Sequence, residues 1–166
     1  MLEFGIKREN EERRDGACAV VFSPSRQKYA VGRDTYGKNI LRLFGGGYEK
    51  DEEKEESIKR EIKEESGLYD FLQVEEIDTV MCHYANSLRG VNRVAESTCF
   101  LVILKSDKTI ERNLESHEKF ELVYVDYEDM IKIWKENNSE KNFDHWLHFI
   151  DKARRRIVEL GYGKVS

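Results

Sequence analysis

Apolar runs alternate with polar stretches along the chain, and this pattern predicts six β-strands. The first two, at 17–23 and 28–34, flank PSRQ, which contains the only proline and is typical of a hairpin turn. The third is the short run ILRLF at 40–44, which leads into three consecutive glycines. The others are predicted at 74–85, 96–105 and 121–127, with polar loops over 86–95 and 106–120 between them.

Three further segments have the spacing of α-helices. One is predicted over about 52–66 and ends at Gly67, the residue type that most often follows the last helical turn. Two more are predicted at 128–137 and 143–162. Apolar residues on one face of the last helix are expected in the core: Trp146, Phe149, Ile150, Ala153, Ile157 and Leu160. Strands on both sides of a central helix, followed by further helices, predict an α/β (α+β) fold with a mixed central sheet covered on both faces.

The length of 166 residues favours one domain. Residues 1–14 are charged and have no apolar periodicity, so we interpret them as an N-terminal arm, either mobile or forming a short edge element. The single domain is expected over 15–166. It includes the C-terminal helices, which could also provide the surface of a homodimer.

Composition narrows the class of function. The net charge of −5 argues against binding to long nucleic acid, which requires a basic surface. No apolar run approaches the roughly 20 residues that cross a bilayer, and the first residues lack the apolar segment of a secretory signal. We therefore expect a cytoplasmic protein with no membrane partner. Its cysteines, Cys18, Cys82 and Cys99, lack metal-binding spacing and are expected to be reduced thiols.

The segment FGGGYEKDEEKEESIKREIKEESGL at 44–68 carries the candidate chemistry. Glu61, Glu64 and Glu65 have i, i+3 and i+4 spacing, which places them on one helical face. Clustered carboxylates suit Mg²⁺ or Mn²⁺, and the glycines are expected to form a turn that brings bare backbone close to the metal. The charge pattern alone favours a solvated acidic helix, because lysines are interspersed along it: Lys50, Lys54, Lys59 and Lys63.

The spacing in this segment resembles the Nudix box, G-x5-E-x7-R-E-U-x-E-E-x-G-U, in which U is a bulky apolar residue. Every fixed position is matched, by Gly46, Glu52, Arg60, Glu61, Ile62, Glu64, Glu65, Gly67 and Leu68. The resemblance is specific over 44–68 and looser over about 15–135, through the order of the strands. One departure is Phe44, where the family often has proline. The resemblance implies a Nudix-type α/β/α sandwich that hydrolyses a nucleoside diphosphate linked to another moiety and depends on divalent metal.

The resemblance also implies roles for individual residues of the box. Glu61, Glu64 and Glu65 would be metal ligands, with the carbonyl oxygen of Gly46 as a further ligand. Arg60 and Glu52 would form a structural pair that orients the catalytic helix. Such a metal would neutralise the diphosphate and lower the pKa of the attacking water, which would let an acidic protein bind an anionic substrate.

A further carboxylate is expected from outside the box, as in similar enzymes. The segment ESHEKFELVYV offers Glu118 and Glu121, and its spacing resembles the family's E-x-x-E-x-x-W pattern with Tyr124 in the aromatic position. Glu118 is the stronger candidate for metal binding or for the general base. The identity of the base stays open among Glu61, Glu65 and Glu118.

Substrate recognition leaves a weaker signal in the sequence. Arginines near predicted strand ends or in the 86–95 loop are candidates for phosphate binding through their planar forks: Arg33, Arg42, Arg89 and Arg93. Tyr84 lies 16 residues after Leu68, one place from the position associated with diadenosine polyphosphate hydrolases. His83 stands where ADP-ribose hydrolases of the family carry proline, and a structural role is expected for it. Tyr36 and Phe44 could stack a base, although packing is the expected role of each.

The expected substrate is therefore a small nucleotide: a dinucleoside polyphosphate, ADP-ribose, a nucleotide sugar or a (d)NTP. The alternative hypothesis is a Nudix-fold module that binds a nucleotide and regulates or contacts another protein without turnover. Three intact box glutamates favour the enzyme, since a binding module does not need the whole acidic face.

Overall fold

The computed structural model describes residues 1–35, 39–86, 89–116 and 118–163. Its helices are α1 (Lys54–Ser66), α2 (Tyr127–Glu136) and α3 (Asp144–Glu159), and a short 3₁₀ turn at Ser139–Lys141 precedes α3. Its strands are β1 (Glu3–Gly5), β2 (Glu12–Arg13), β3 (Gly16–Ser23), β4 (Lys28–Asp34), β5 (Leu41–Arg42), β6 (Phe44–Gly47), β7 (Phe71–Asn86), β8 (Val91–Leu104) and β9 (Phe120–Val125). No helix in these ranges is both long and apolar enough to cross a membrane.

All of these strands join one mixed sheet, with β3 at its centre. β3 pairs parallel with β8 on one edge and antiparallel with both β4 and β6 on the other. β7 and β8 form a long antiparallel pair, while β9 extends the sheet beyond β4. The short strands β1 and β2 run parallel to β7 and β8. The predicted mixed sheet is confirmed.

Side chains that alternate along β3 enter two separate cores, one on each face of the sheet. Val20 and Phe22 pack with residues of α2 and α3, while Ala19 and Val21 pack with Ile58 and other residues of α1. The larger core includes Trp134, whose indole N–H donates to a backbone carbonyl of β5 at 3.0 Å. The three layers form the predicted α/β/α sandwich, with α1 alone on its face among the described helices.

The elements differ from the prediction most clearly in four places. The glycines do not form a turn: they belong to β6, which pairs with β3. The predicted strand at 40–44 is divided into β5 and β6. Much of the predicted loop at 86–95 is strand, because the pairing of β7 with β8 continues out to Asn86 and Val91. Helix α1 begins at Lys54 rather than near 52, and it ends as predicted at Gly67, whose φ of 81° is favoured by glycine.

The N-terminal segment lies against the long strand β7. Glu3 on β1 and Glu11 contact the two ring nitrogens of His83, at 2.5 and 2.7 Å. The ring is buried, which opposes its positive charge, but the hydrogen bonds with these carboxylates outweigh burial and raise the pKa of His83. His83 therefore fastens the arm to the sheet, a structural role.

Candidate active site

Helix α1 directs two box carboxylates at the glycine strand β6. Glu65 is buried, and its Oε1 accepts a hydrogen bond from the backbone N–H of Gly45 at 2.7 Å. The carboxylate of Glu61 covers Gly46 so closely that a Cβ atom there would lie 2.5 Å from Oε1. A side chain at position 46 would therefore displace this carboxylate.

Arg60 holds the cluster from its solvent side. Its Nε and Nη2 donate to the two oxygens of Glu52 at 2.7 and 2.9 Å, a bidentate pair of the kind predicted. The hydrogen bonds from Arg60 lower the pKa of Glu52 to about 2. The remaining Nη1 donates to Glu61 at 3.1 Å and to Glu64 at 3.2 Å. Arg60 thus positions two of the predicted metal ligands as well as the start of the helix.

The carboxylates facing β6 carry more negative charge than this one arginine neutralises. Burial raises the pKa of Glu61 to about 7, and Arg60 opposes that shift while Glu64 and Glu118 add to it. Burial also raises the pKa of Glu65 well above its usual range, and its contact with Glu118 adds to the rise. Crowded carboxylates with raised pKa values favour either protonation or a bound cation.

The chemistry of these donors fits a hard divalent cation, since carboxylate oxygens are the ligands that Mg²⁺ and Mn²⁺ prefer. Their present arrangement is not a closed site. Among residues 1–35, 39–86, 89–116 and 118–163, no three acidic, histidine or cysteine side chains converge enough to hold a metal ion. Glu64 is turned to Arg60 and is partly exposed. Binding a metal at all three glutamates would require Glu64 to exchange that arginine for the ion.

The backbone oxygen of Gly46 lies on the β3 side of β6. A Cβ atom on Gly16 would be 2.4 Å from this oxygen, so position 16 requires glycine. Two glycines on adjacent strands thus allow β3, β6 and Glu61 to pack closely. The role of the Gly46 carbonyl as a ligand stays a prediction.

Of the two carboxylates predicted outside the box, the structure brings only Glu118 to the cluster. Glu118 contacts Glu65, and its Oε1 also accepts a hydrogen bond from the backbone N–H of Glu115 at 2.9 Å. Glu121 lies on β9 as the cross-strand partner of Arg33. Tyr124, in the aromatic position of that pattern, packs beneath the guanidinium of Arg26, 4.1 Å from its ring centroid.

The candidate phosphate-binding residues fall in two places. Arg33 and Arg42 lie on the neighbouring strands β4 and β5, where Arg42 covers the ring of Phe120 at 4.8 Å and has its Nε 3.6 Å from Asp34. Tyr84 and Arg93 are cross-strand partners on β7 and β8.

The other residues predicted to contact the substrate are already paired, exposed in a turn, buried or outside the described residues. Arg93 already pairs with Glu12, at 2.9 Å. Arg89 is exposed in the turn before β8. Phe44 is fully buried, so it packs in the core and does not stack a base. Tyr36 lies outside the described residues.

One cation beside the glycine strand was not predicted. The guanidinium of Arg14 lies over Gly47, where Nε would be 2.7 Å from an added Cβ atom. The third glycine of the run was a signal in the sequence, because the box requires only Gly46. Its partner could not be named, since the register of β6 on β3 is a non-local contact.

Fold and site together define a class of protein: an α/β/α sandwich in which one helix directs an acidic face at a strand of bare glycine backbone. A family model described as NUDIX domain matches residues 12–147. The chain therefore belongs to the Nudix family, as the spacing of the box predicted. No curated protein sequence matches the chain.

Solved structures share the fold at low sequence identity. A NUDIX hydrolase from Nitrosomonas europaea has a TM-score of 0.60 and 15% identity, covering 87% of this chain and 90% of that one. The NUDIX domain of Shewanella oneidensis NrtR, solved with ADP ribose, has a TM-score of 0.63 and 19% identity, covering 89% and 90%. A candidate NUDIX hydrolase from Listeria monocytogenes has a TM-score of 0.60 and 21% identity, covering 92% and 99%.

Proposed function

We propose that this chain is a divalent-metal-dependent hydrolase that cleaves a phosphoanhydride bond in a nucleoside diphosphate linked to another moiety. One observation carries the proposal: Glu61 and Glu65 are crowded against bare glycine backbone with raised pKa values. Among the described residues, Arg60 is the one arginine hydrogen-bonded to this cluster. A cluster of this kind is costly for a fold to keep without a cationic ligand. Membership of the Nudix family supports the same conclusion.

In this proposal Glu61, Glu64, Glu65 and the Gly46 carbonyl hold Mg²⁺ or Mn²⁺. When bound, the ion supplies positive charge to the diphosphate and lowers the pKa of a water molecule. Arg60, fixed by Glu52, keeps the carboxylates aligned along α1. A proton from the attacking water would pass to a carboxylate of this cluster, and Glu61, Glu65 and Glu118 are the candidates.

ADP-ribose is the first substrate to test, because the NUDIX domain of Shewanella NrtR was solved with that ligand. Dinucleoside polyphosphates, nucleotide sugars and (d)NTPs complete the panel. Arg33, Arg42, Tyr84 and Arg89 are proposed contacts for the substrate. We also propose that residues 15–166 form the domain and that 1–14 act as an arm attached to it.

A second candidate function is a module that binds a nucleotide without turnover. It is favoured by one observation, that Glu64 is engaged by Arg60 and the described side chains do not converge around a metal position. The two candidates differ in whether this glutamate changes partner when metal and nucleotide are present.

Incubation with Mg²⁺ and the panel, followed by phosphorus NMR, separates the two. We expect turnover of at least one member, lost in the double variant Glu64→Gln, Glu65→Gln. Glu56→Gln is the matched control, since Glu56 lies on the same helix but contacts only Lys59 among the described ion pairs. Turnover that survives the double substitution would reject the metal site, while binding without any turnover would favour the module.

A further inference from the structure

The carboxylate of Glu118 reaches the α1 cluster from a loop that precedes β9. This segment, called here the Glu118 loop, is described at 113–116 and 118–119. Glu118 contacts Glu65. Within the loop, the N–H of Glu115 donates to Oε1 of Glu118, and the N–H of Glu118 donates to the carbonyl of Glu115, both at 2.9 Å. The carboxylate is therefore fixed relative to its own loop, and its place in the cluster depends on what holds that loop.

Backbone hydrogen bonds attach the two ends of the Glu118 loop to different elements. At its start, the N–H of Asn113 donates to the carbonyl of Glu64, in the last turn of α1, at 2.8 Å. At its end, the carbonyl of Lys119 accepts hydrogen bonds from the N–H and the hydroxyl of Thr35, just after β4, at 3.0 and 3.1 Å. Between them, Leu114 packs against the core beneath α1. The loop thus extends from α1 to the end of β4.

One arginine joins the residue before this loop to the residue after it. Nη1 of Arg112 donates to the backbone carbonyl of Phe120 at 2.8 Å. Phe120 begins β9, which pairs with β4 alone among the described strands. Across the described part of the chain, this is the one hydrogen bond of the Arg112 side chain, and the guanidinium forms no ion pair there. The structure therefore gives this guanidinium a single contact, at the base of the Glu118 loop.

We propose that Arg112 is a positioning residue for the carboxylate of Glu118. Ordering a loop costs conformational entropy, and the hydrogen bond from Arg112 to Phe120 offsets part of that cost by holding the two ends together. A carboxylate that accepts a proton must lie within hydrogen-bond reach of it, so the position of the loop sets the rate that Glu118 can support. The inference rests on the proposed function in one respect, that Glu118 takes part in the hydrolysis.

Hydrogen exchange of backbone amides tests the contact without any substrate. In Arg112→Ala we expect the N–H groups of Asn113, Glu115 and Glu118 to exchange about 10- to 100-fold faster, the range for losing a hydrogen bond from a charged group. Amides of α2 and α3 should be unchanged. Arg112→Lys should recover part of the protection, because it keeps a charged donor.

Lys108→Ala is the matched control for the exchange experiment. It removes the same charge from the same connection between β8 and β9, and Lys108 is exposed, with no side-chain hydrogen bond or ion pair among the described residues. Its loop amides should exchange as in the wild type. Equal exchange of the loop in Arg112→Ala and Lys108→Ala would overturn the proposal.

Steady-state kinetics test the consequence for chemistry, on whichever member of the substrate panel is hydrolysed. Glu118→Gln should lower kcat about 10²-fold, as expected when a proton acceptor is lost. Arg112→Ala should lower kcat roughly 10-fold, because a catalytic group is misplaced rather than removed, and should change KM by less than about 2-fold. Arg112→Lys should recover part of this loss. Thermal unfolding of each variant confirms that it folds.

The double variant Arg112→Ala, Glu118→Gln separates positioning from an independent effect. If Arg112 acts through Glu118, the double variant is no slower than Glu118→Gln alone, since there is no carboxylate left to position. Losses that add in the double variant would overturn the proposal. Hydrolysis at the wild-type rate by Glu118→Gln would overturn it as well.

The two measurements distinguish failure of this inference from failure of the proposed function. A wild-type chain that hydrolyses a panel member, with the same kcat in Arg112→Ala as in Lys108→Ala, would reject the role of the arginine and retain the hydrolase. A chain that hydrolyses nothing, but whose loop exchanges faster in Arg112→Ala, would retain the hold of the arginine on the loop and reject the hydrolase. A chain that shows neither effect would overturn both.

Discussion

Two groups of carboxylates in this chain differ in what neutralises them. In the arm, Glu3 and Glu11 contact both nitrogens of His83. Burial raises the pKa of Glu11, but hydrogen bonds from His83 and from the backbone of Arg8, together with the charges of His83 and Lys7, outweigh it. The net shift of Glu11 is therefore downward, while the pKa of His83 rises. On α1, burial raises the pKa values of Glu61 and Glu65 and neighbouring carboxylates raise them further.

The pKa of Glu11 is lowered because its carboxylate has a cationic partner. The pKa values of Glu61 and Glu65 are raised because their negative charge is not fully offset. The arm cluster contains its own cation, so it stabilises the fold and needs no ligand. Among the residues that the structure describes, the α1 cluster is hydrogen-bonded to one cation, Arg60, which is already shared with Glu52 and Glu64. The comparison predicts that substitution of His83 changes stability and leaves the chemistry unaffected, whereas substitution of Glu61 or Glu65 does the reverse.

The largest expected effect is on catalysis. Glu65→Gln keeps an oxygen that can accept the Gly45 N–H, but it removes the charge needed to hold a metal. We expect kcat to fall roughly 10²- to 10³-fold, as when an electrostatic contribution to the transition state is lost. The free energy of unfolding without metal should be no lower than in the wild type, because a buried repulsion with Glu118 is also removed. Phosphorus NMR and denaturant unfolding measure both, and a variant that is both active and unstable would contradict the comparison.

Replacing His83, which supplies the positive charge beside the arm, should lower stability and leave catalysis nearly unchanged. His83→Ala leaves the carboxylate of Glu11 without its cationic partner in a largely buried position, where its side chain is 7% exposed. We expect a loss of about 3 kcal/mol in the free energy of unfolding near pH 6. Glu3→Gln is the milder control, since Glu3 is 62% exposed and exposed ion pairs contribute little. The kcat of folded His83→Ala should stay within about 2-fold of wild type, and a selective loss of kcat at unchanged stability would place His83 in the chemistry instead.

Added Mg²⁺ should stabilise the folded chain by binding to the α1 cluster and not to the arm. At a Mg²⁺ concentration 100 times its Kd, binding to the folded state adds about 2.7 kcal/mol, which for a chain of this size raises Tm by about 5–10 °C. This increase should be lost in Glu65→Gln and retained in His83→Ala. Scanning calorimetry with Mg²⁺ and with EDTA measures it, and an equal increase in Glu65→Gln would show that the metal binds elsewhere.

The part of the site that the sequence predicts is the part made by local contacts. The carboxylate face of α1 follows from i, i+3 and i+4 spacing within one helix. The pair of Arg60 and Glu52 is eight residues apart, so it too is a local contact. The sheet covered on both faces was likewise predicted from the order of the elements, with strands on both sides of a central helix and further helices at the end.

The remainder depends on pairing between distant segments. The glycines of β6 have no side-chain pattern, so their assignment to a strand depends on the partner β3. Arg14 meets Gly47 through the same pairing. His83 contacts Glu3, which lies 80 residues away in the sequence. This contact depends on how β1 pairs with β7, which no sequence pattern predicts. Charged segments such as 1–14 have no apolar periodicity from which structure could be predicted. Their structure depends on contacts with the folded sheet.

Per pH unit, the pH dependence of stability is the smallest effect, and it separates the two clusters. The folded chain holds a proton on His83 above pH 6.5, the usual pKa, so the stability from this contact is complete below 6.5 and is lost as the pH rises through the raised pKa. Glu11 has a lowered pKa, so its contribution is present above about 4.5 and is lost as the pH falls through the lowered value. The arm should therefore be most stable between these limits.

Glu61 also makes stability fall with rising pH, because its pKa of about 7 in the folded state exceeds its usual 4.5. One proton changes the free energy of unfolding by at most about 1.4 kcal/mol per pH unit. Mg²⁺ should remove the slope that comes from Glu61, since a bound cation replaces the proton, and should leave the slope that comes from His83. Urea unfolding between pH 5 and 9, with and without Mg²⁺, measures both slopes. His83→Ala should then be nearly independent of pH above 6.5 when Mg²⁺ is present, and a slope that persists in this variant with Mg²⁺ would show that the α1 carboxylates are not neutralised by metal.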